Sequence, residues 1–313
     1  MEHIELERPI EELRIQIANL RKLGNDAEIN ITTEVARLEK QVEKMTQRVF
    51  DNLSAWDITQ LARHPARPGM LDYLKHCAPD FEQLHGDRHG CDDPALIGGL
   101  GTFAGRSCVL VGNHKGREVD EKVRNNFGMP QPEGYRKALR LFELAERFGL
   151  PVCTFIDTPG AYPGISAENN NQSEAIAYNL MRLAALRTPI ICLVTGEGGS
   201  GGALAIGVGD SLMMLSYSIY SVISPEGCAS ILWRKAEHAS EAAEAMQITA
   251  AQLHELGLAD RVIDEPVGGA HRNVKSMAER ISAACSEEFD RLAQMPMDEM
   301  LEARMQRLRQ YGQ

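Results

Sequence analysis

Apolar positions recur at helical spacing over the first fifty residues. Ile10, Leu13, Ile17 and Leu20 follow a 3-4-3 pattern, and Val35, Leu38, Val42, Met45 and Val49 a 3-4-3-4 pattern. Gly24-Asn25-Asp26 separates the two runs. The pattern predicts two helices joined by a turn, their seams packed on each other or on a partner, as in assembly elements. A third short helix follows, with Asp51 or Ser54 as its N-cap and Trp56 and Leu61 on its apolar side.

From about Ile97 the period changes. Ile97 to Phe103 and Ser107 to Gly112 flank Ala104-Gly105-Arg106 and predict two strands around a tight turn. A helix is expected from Glu133 to Phe148, stopped by Gly149 and Pro151. Then come a strand from Pro151 to Ile156, a loop from Asp157 to Gly164 and a helix from Glu174 to Leu186. Another strand, Pro189 to Thr195, leads into a glycine-rich loop and a helix of small residues from about Gly201 to Gly207. Leu212 to Leu215 and Ser218 to Ile223 read as short strands, and Pro225 to Trp233 as a helix with proline at its first position. Beyond Ala239 the chain is mostly helical, interrupted at Arg261-Val262-Ile263. The repeating unit is strand, strand, helix, which predicts an α/β protein with short turns of strand stacked between helices.

Composition narrows the function classes. With 313 residues, 43% of them hydrophobic, the chain can bury one large core with helical extensions to spare. The net charge of −11 argues against a nucleic-acid or acidic-membrane partner. Met1-Glu2-His3-Ile4-Glu5 does not resemble a secretory signal, and apolar runs such as Pro189 to Val194 are too short to span a bilayer, so a cytoplasmic location is expected. Cys77, Cys91, Cys108, Cys153, Cys192, Cys228 and Cys285 are scattered singly with no C-x-x-C pair, which predicts buried reduced thiols rather than disulfides or a zinc site.

The chemistry concentrates at strand-to-helix junctions. Gly196-Glu197-Gly198-Gly199-Ser200-Gly201-Gly202 holds five glycines in seven residues, more than close packing alone is expected to need. Backbone N–H groups at a helix start, unhindered by side chains, suit an anion or an oxyanion. A phosphate-binding P-loop would require a lysine after the last glycines, and none is present. A G-x-S-x-G nucleophile elbow is satisfied literally by Gly198 to Gly202, and Asp260 or Asp264 and His271 follow in the required order. Against it, Thr195-Gly196-Glu197 are expected to separate Ser200 from its strand.

Asp157-Thr158-Pro159-Gly160-Ala161-Tyr162-Pro163-Gly164 is a second, rigidified loop whose Gly160 and Ala161 offer further amides. Asp157 is expected to cap backbone N–H groups in preference to acting as a base. Glu226 is expected to complement a helix dipole, and Cys228 to be packed. His114, Lys115, Arg117, Lys122, Arg124, Arg136, Lys137 and Arg140 form a basic run in an acidic chain. Arg117, Glu118 and Arg124 are also compatible with a solvated face. His85 and His89 flank Gly86-Asp87-Arg88, where glycine disfavours a helical metal-ligand pair.

Several segments together resemble a known family. They are Gly128-Met129-Pro130 with Pro132-Glu133-Gly134-Tyr135-Arg136-Lys137-Ala138, then Asp157 to Gly164, Gly196 to Ala203, and Ser221 to Trp233. In order and spacing they are similar to the alpha subunits of bacterial acetyl-CoA carboxylase carboxyltransferases, and the similarity extends over nearly the whole chain, including Gly268-Gly269-Ala270-His271-Arg272.

The resemblance implies a crotonase-like spiral of strand-strand-helix repeats with an N-terminal helical hairpin and C-terminal helices. The expected divisions are 1–50 for the hairpin, 51–265 for the carboxyltransferase domain and 266–313 for the C-terminal extension. It implies carboxyl transfer from carboxybiotin, borne on a biotin carboxyl carrier protein, to acetyl-CoA, giving malonyl-CoA for fatty acid synthesis. Biotin is then the cofactor, attached to the carrier, with no metal on this chain. The implied partners are a zinc-ribbon beta subunit in an alpha2-beta2 core, the carrier protein and biotin carboxylase. Gly201 and Gly202 match the oxyanion positions on the biotin side, Gly198 and Gly199 are nearby alternatives, and Gly160 and Ala161 are expected to line the substrate and biotin site. A serine hydrolase using Ser200 and a non-catalytic scaffold are the competing classes.

Overall fold

The computed structural model describes residues 4–23 and 28–312. Helices α1 (Arg8–Leu23) and α2 (Glu28–Phe50) pack along each other. The turn expected at Gly24-Asn25-Asp26 lies outside the described residues. Ile10, Ile17 and Leu38 are buried, as the 3-4 spacing requires, and Leu13, Leu20, Val35, Val42, Met45 and Val49 are half-buried. Phe50 carries the seam onto the body. Its ring meets Tyr217 edge-on at 5.4 Å and joins Leu61 of α3 (Ala55–Ala62). Of the two expected caps for α3, Ser54 is the one used. Its hydroxyl accepts the Asp57 N–H at 3.1 Å while the Asp57 carboxylate takes the Ser54 N–H, a reciprocal capping box.

Helix α4 (Met70–Cys77) and the two-residue strand β1 (Glu82–Gln83) follow, and the hydrophobic pattern alone does not single them out. Strands β2 (Leu96–Phe103) and β3 (Arg106–Asn113) form the expected hairpin. Ala104 and Gly105 both take left-handed φ, 52° and 77°, as a two-residue turn between twisted strands requires. The chain continues through α5 (Val119–Arg124), α6 (Pro132–Phe148), β4 (Val152–Thr158), α7 (Ile165–Asn169), α8 (Gln172–Ala185), β5 (Ile190–Gly199) and α9 (Ser200–Leu204). It ends with β6 (Ser211–Leu215), β7 (Ile219–Ser221), α10 (Pro225–Trp233), α11 (Ala239–Met246), α12 (Ala250–Glu255), β8 (Arg261–Ile263), α13 (Val274–Ala293) and α14 (Met297–Gln310).

The sheet order is β1-β2-β3-β4-β5-β6-β8, with β7 attached to β5 off this path. The first two pairings are antiparallel and those from β3 onward parallel. Side chains alternate between two covered faces, so every residue of β4 is buried. Cys153, Phe155, Ile191, Leu193, Met213 and Leu215 meet α4 and α13 on one face. Val152, Ile156, Ile190, Cys192, Val194 and Met214 meet α6 and α8 on the other. The strand-strand-helix spiral is the observed architecture. Strand β5 turns it by changing partners along its length: Ile191 to Val194 pair with β6, and Glu197 to Gly199 pair with β7.

Three expectations are corrected. The strand expected to stop at Thr195 runs to Gly199, because a neighbour is present for the glycine segment on each side. The small-residue helix is a single short turn, Ser200–Leu204, rather than reaching Gly207. Among the cysteines, Cys108, Cys153, Cys192 and Cys285 are buried free thiols, but Cys77 and Cys228 are half-buried and Cys91 is exposed.

The C-terminal helices are not peripheral to the core. Met277, Ile281, Cys285 and Phe289 of α13 belong to the same cluster as β4 and β5. Arg304 of α14, fully buried, chelates Asp210 at 2.8 and 2.7 Å and donates to the carbonyls of Leu183, Leu186 and Thr188. A buried guanidinium is tolerated only when its donors are matched in this way. Replacing Arg304 with Met should therefore destabilise the fold by roughly 3–5 kcal/mol, because Asp210 is left buried without its counter-charge. Urea denaturation measures this, and a loss below about 1 kcal/mol would contradict the clamp.

Candidate active site

Because β4 and β5 are parallel neighbours, their carboxyl ends deliver two chain segments side by side. One is the loop after Thr158, the other the corner at which β5 becomes α9. The glycines set how closely these segments approach. A Cβ at Gly196 would strike the Asp157 carboxylate, at Gly198 the Tyr220 ring, at Gly199 the Pro159 carbonyl, and at Gly202 the Gly160–Ala161 peptide. Each would lie closer than 3.0 Å. Only Gly201 of the five has ordinary room, its nearest neighbour being Ile176 at 3.7 Å. The expectation that packing could not account for so many glycines is therefore corrected: close approach accounts for four of them.

That approach brings Gly202 against Gly160 and Ala161. Gly198 and Gly199 instead belong to the strand, Gly198 pairing with both β4 and β7. Ser200, Gly201 and Gly202 form the first turn of α9, where N–H groups have no intrahelical acceptor. In the facing loop, Thr158 Oγ1 accepts the Gly160 N–H at 3.1 Å and donates to the Gly160 carbonyl at 2.7 Å. The Gly160 amide is thus already engaged, whereas no described residue accepts from Ala161. Ser200 follows the strand without a spacer and takes a φ of 51°. The offset expected to separate it from the strand is absent, so the corner itself has the geometry of an elbow. The rest of a triad is not assembled. His271 is stacked on His64 with ring centroids 4.2 Å apart and faces Glu7, while the Asp260 carboxylate accepts from Leu212 N–H and pairs with Arg307.

Behind the corner, half-buried cations surround two buried carboxylates. Lys115 Nζ sits 2.7 Å from Asp157 Oδ1 and 2.8 Å from Glu197 Oε1. Asp157 Oδ1 also accepts the Glu197 N–H at 3.1 Å, in keeping with its expected role as a cap. Arg63 donates to Glu197 at 2.8 Å and to Glu226 at 2.6 Å, so Glu226 answers a guanidinium as well as a helix dipole. Burial works to raise the Glu197 carboxyl, but the charges of Lys115 and Arg63 outweigh it and hold it below the usual range. Burial would strip the proton from Lys115, yet its two carboxylates raise it above an ordinary lysine. A pocket of about 260 Å³ opens alongside, lined by Arg63, Arg67, Asn113, Lys115, Arg117 and Asp157 among others.

Other residues of the basic run answer local partners. His114 and the Arg117 backbone meet Glu121, the Arg117 side chain pairs with Asp72, and buried Lys137 pairs with Asp92. Arg140 caps the Gly86 carbonyl, and Arg124 is largely exposed. His85 faces Asp92 at 3.0 Å on the surface, so His85 and His89 form no ligand pair.

Sequence pattern missed Arg63, Arg67 and Glu7. Arg67 is buried, forms a two-point pair with Glu265 and donates to the Thr195 carbonyl at 2.6 Å. Glu7, His64 and His271 place three potential metal-ligand atoms within 4.8 Å. His64 Nδ1 accepts the Ala66 N–H at 3.0 Å, which turns Nε2 toward Glu7 at 2.9 Å. Arg272 already neutralises Glu7 at 2.6 Å. The group anchors the segment before α1.

A family model described as acetyl co-enzyme A carboxylase carboxyltransferase-like matches residues 3–312. The chain belongs to this family. A protein of Halorhodospira halophila named acetyl-coenzyme A carboxylase carboxyl transferase subunit alpha is 58% identical over 310 residues, covering 99% of this chain and 98% of its own. Its namesake in Pseudomonas aeruginosa is 59% identical over 309 residues, covering 99% and 98%. Among solved structures, the transcarboxylase 12S matches with a TM-score of 0.55 at 21% identity, over 71% of this chain and 44% of that one. A Pseudomonas malonate decarboxylase heterotetramer matches with 0.58 at 19% identity, over 75% and 91%. At that identity the two structures establish a shared fold.

The charge network makes an acid-stability prediction. Glu197 releases its proton more readily folded than unfolded, so its contribution is complete above the ordinary value of 4.5 and is lost as the pH falls below it. The Glu197→Gln variant should lose stability less steeply than the wild type below pH 4.5, read from denaturant midpoints. Parallel acid limbs would show that the network carries no such linkage.

Proposed function

We propose that this chain is the alpha subunit of an acetyl-CoA carboxylase carboxyltransferase, moving a carboxyl group from carboxybiotin on a carrier protein to acetyl-CoA. The observation that carries this reading is 58% identity over 310 residues, 99% of the chain, to a protein bearing that name. Its partners are then a beta subunit, in an alpha2-beta2 core, the biotin carboxyl carrier protein and biotin carboxylase. The exposed apolar side chains Val222, Ile231 and Leu232 support a subunit interface beside α10. The paired helices within residues 1–50 are read as an assembly element, preceding a carboxyltransferase unit over 51–265 and the C-terminal segment 266–313. No helix of the described residues is long and apolar enough to cross a membrane.

Bound biotin supplies the transferable carboxyl group. The α9 corner suits its ureido oxygen, because the first-turn amides of α9 have no intrahelical acceptor and Gly201 and Gly202 place no side chain beside them. The amides of Gly201 and Gly202 bind the oxygen on which negative charge grows, as preorganised donors do at a cost of about 3 kcal/mol when one is lost. Ala161 lies against Gly202 in the facing loop, with Gly160 held in place by Thr158. Gly198 and Gly199 act one step back, by letting the strand pass close to Tyr220 and Pro159. The charged side chains named near the corner are committed to ion pairs, so this chain contributes dipoles and shape in preference to a free base.

Mixing the chain with its beta partner and a biotinylated carrier should give malonyl-CoA formation that neither subunit shows alone, and failure of the mixture would sink the reading. Within that complex, Ser200→Ala should retain near-wild-type turnover, whereas loss of turnover would restore the elbow. Gly202→Val should abolish turnover while size-exclusion still shows the assembled complex, since the branched side chain would push the Gly160–Ala161 backbone away from the corner. Unchanged turnover would remove Gly202 from the site.

A further inference from the structure

We propose that Lys115 is a positioning residue for carboxyl transfer: its ammonium bridges Asp157 and Glu197 and so fixes the register between the 159–161 loop and the α9 corner. This rests on the carboxyltransferase reading above.

The argument starts from an interruption in the sheet. Ile156 pairs with Val194, but the next pair is Thr158 with Gly198. Between these pairs β4 contributes Asp157 alone, while β5 contributes Thr195, Gly196 and Glu197. Regular ladder bonds therefore fail to set the register over the last residues before both functional segments. Side chains take over. Asn113 Oδ1 accepts the Asp157 N–H at 3.2 Å, Asp157 Oδ1 accepts the Glu197 N–H at 3.1 Å, and Arg67 donates to the Thr195 carbonyl at 2.6 Å. Buried backbone groups at such an irregularity need partners, and these are the ones supplied.

Asp157 and Glu197 are carboxylates on adjacent strands, and both contact the same ammonium within 2.8 Å. Without Lys115 the pair would repel in a poorly hydrated setting. Arg63 compensates Glu197 from the far side only, at 2.8 Å from Oε2. Asp157 has no second cation in direct contact among the described ion pairs, Arg67 acting on it only at longer range, so its hold on the Glu197 amide leans on Lys115. Repulsion would open the gap at the point where Gly196 lets the Asp157 carboxylate lie against β5. Three residues downstream, Gly199 and Pro159 pass in backbone contact, and Gly202 meets Gly160. A shift at the irregularity is thus passed directly to the amides proposed to hold the reacting oxygen.

Lys115 also lines the neighbouring pocket, so direct contact with substrate is the competing role. Steady-state kinetics on the assembled complex with its beta partner separate the two. Lys115→Met should lower kcat by about 10²-fold, the loss expected of an ångström-scale misplacement. KM for acetyl-CoA should stay within about threefold, and Lys115→Arg, which can still span two carboxylates, should recover most of kcat. Unchanged kcat per folded complex in Lys115→Met would overturn the proposal, as would a rise in KM with kcat preserved. Should Lys115→Met not assemble, Glu197→Gln keeps the shape and weakens the bridge. A fall in its kcat of about tenfold supports the proposal, and wild-type kcat overturns it. A wild-type complex that forms no malonyl-CoA would bring down the functional reading itself, an outcome distinct from an active wild type with inert variants.

Discussion

The site depends on one contact, the passage of bare backbone against bare backbone where β5 leaves the sheet beside the loop after β4. Gly199 against Pro159 and Gly202 against Gly160 leave no room for side chains. Glycine there costs backbone entropy on folding, and the structure must recover it elsewhere. It does so by committing strong interactions to the same few residues. Asp157 fills the space vacated by the missing Gly196 side chain, and its charge then requires Lys115. Glu197 points back toward the same ammonium and draws in Arg63, which reaches Glu226 at the start of α10. One steric permission thus organises three separate strand-to-helix junctions.

Much of this architecture was legible in the sequence where periodicity was strong. Helices α6 and α10 start at their prolines, α6 stops at Gly149 in its left-handed conformation, and the β2–β3 hairpin turns at Ala104-Gly105. What local pattern could not supply was partnership. Gly196 to Gly199 read as loop because glycine has low strand propensity, yet two flanking strands make them strand. The elements α4 and β1 are too short for a period to register.

The candidate site was legible in part, as a meeting of segments, and for a similar reason. Gly201, Gly202, Gly160 and Ala161 lie at junctions that the sequence marks by glycine and proline, and the fold brings them together. Local reading also took the glycine count as a sign of ligand binding, when neighbours as distant as Tyr220 and Pro159 explain most of it. Arg63 and Arg67 sit in a stretch with no period or motif, and their partners Glu197, Glu226 and Glu265 are more than a hundred residues away. Lys115 stood out only as one of a run of basic residues. Long-range ion pairs leave no local trace, because any surface-compatible charge looks alike until the fold chooses its partner.

This division bears on how such a site can be built. Buried ion pairs are poor sources of net stability, since desolvation offsets most of their attraction. They are effective at selecting one arrangement over others, because a displaced partner leaves a charge uncompensated. At the β4–β5 irregularity no ladder pair stands between Ile156–Val194 and Thr158–Gly198, and hydrophobic packing cannot set the register there, Gly196 having no side chain to pack. Charges can. The Asp157–Lys115–Glu197 bridge is therefore best understood as the device that makes a glycine-lined corner rigid, which is what amides must be if they are to act as preorganised donors. The same logic explains why ionisable groups crowd the site without furnishing a free base: they are engaged in holding the backbone proposed to do the binding.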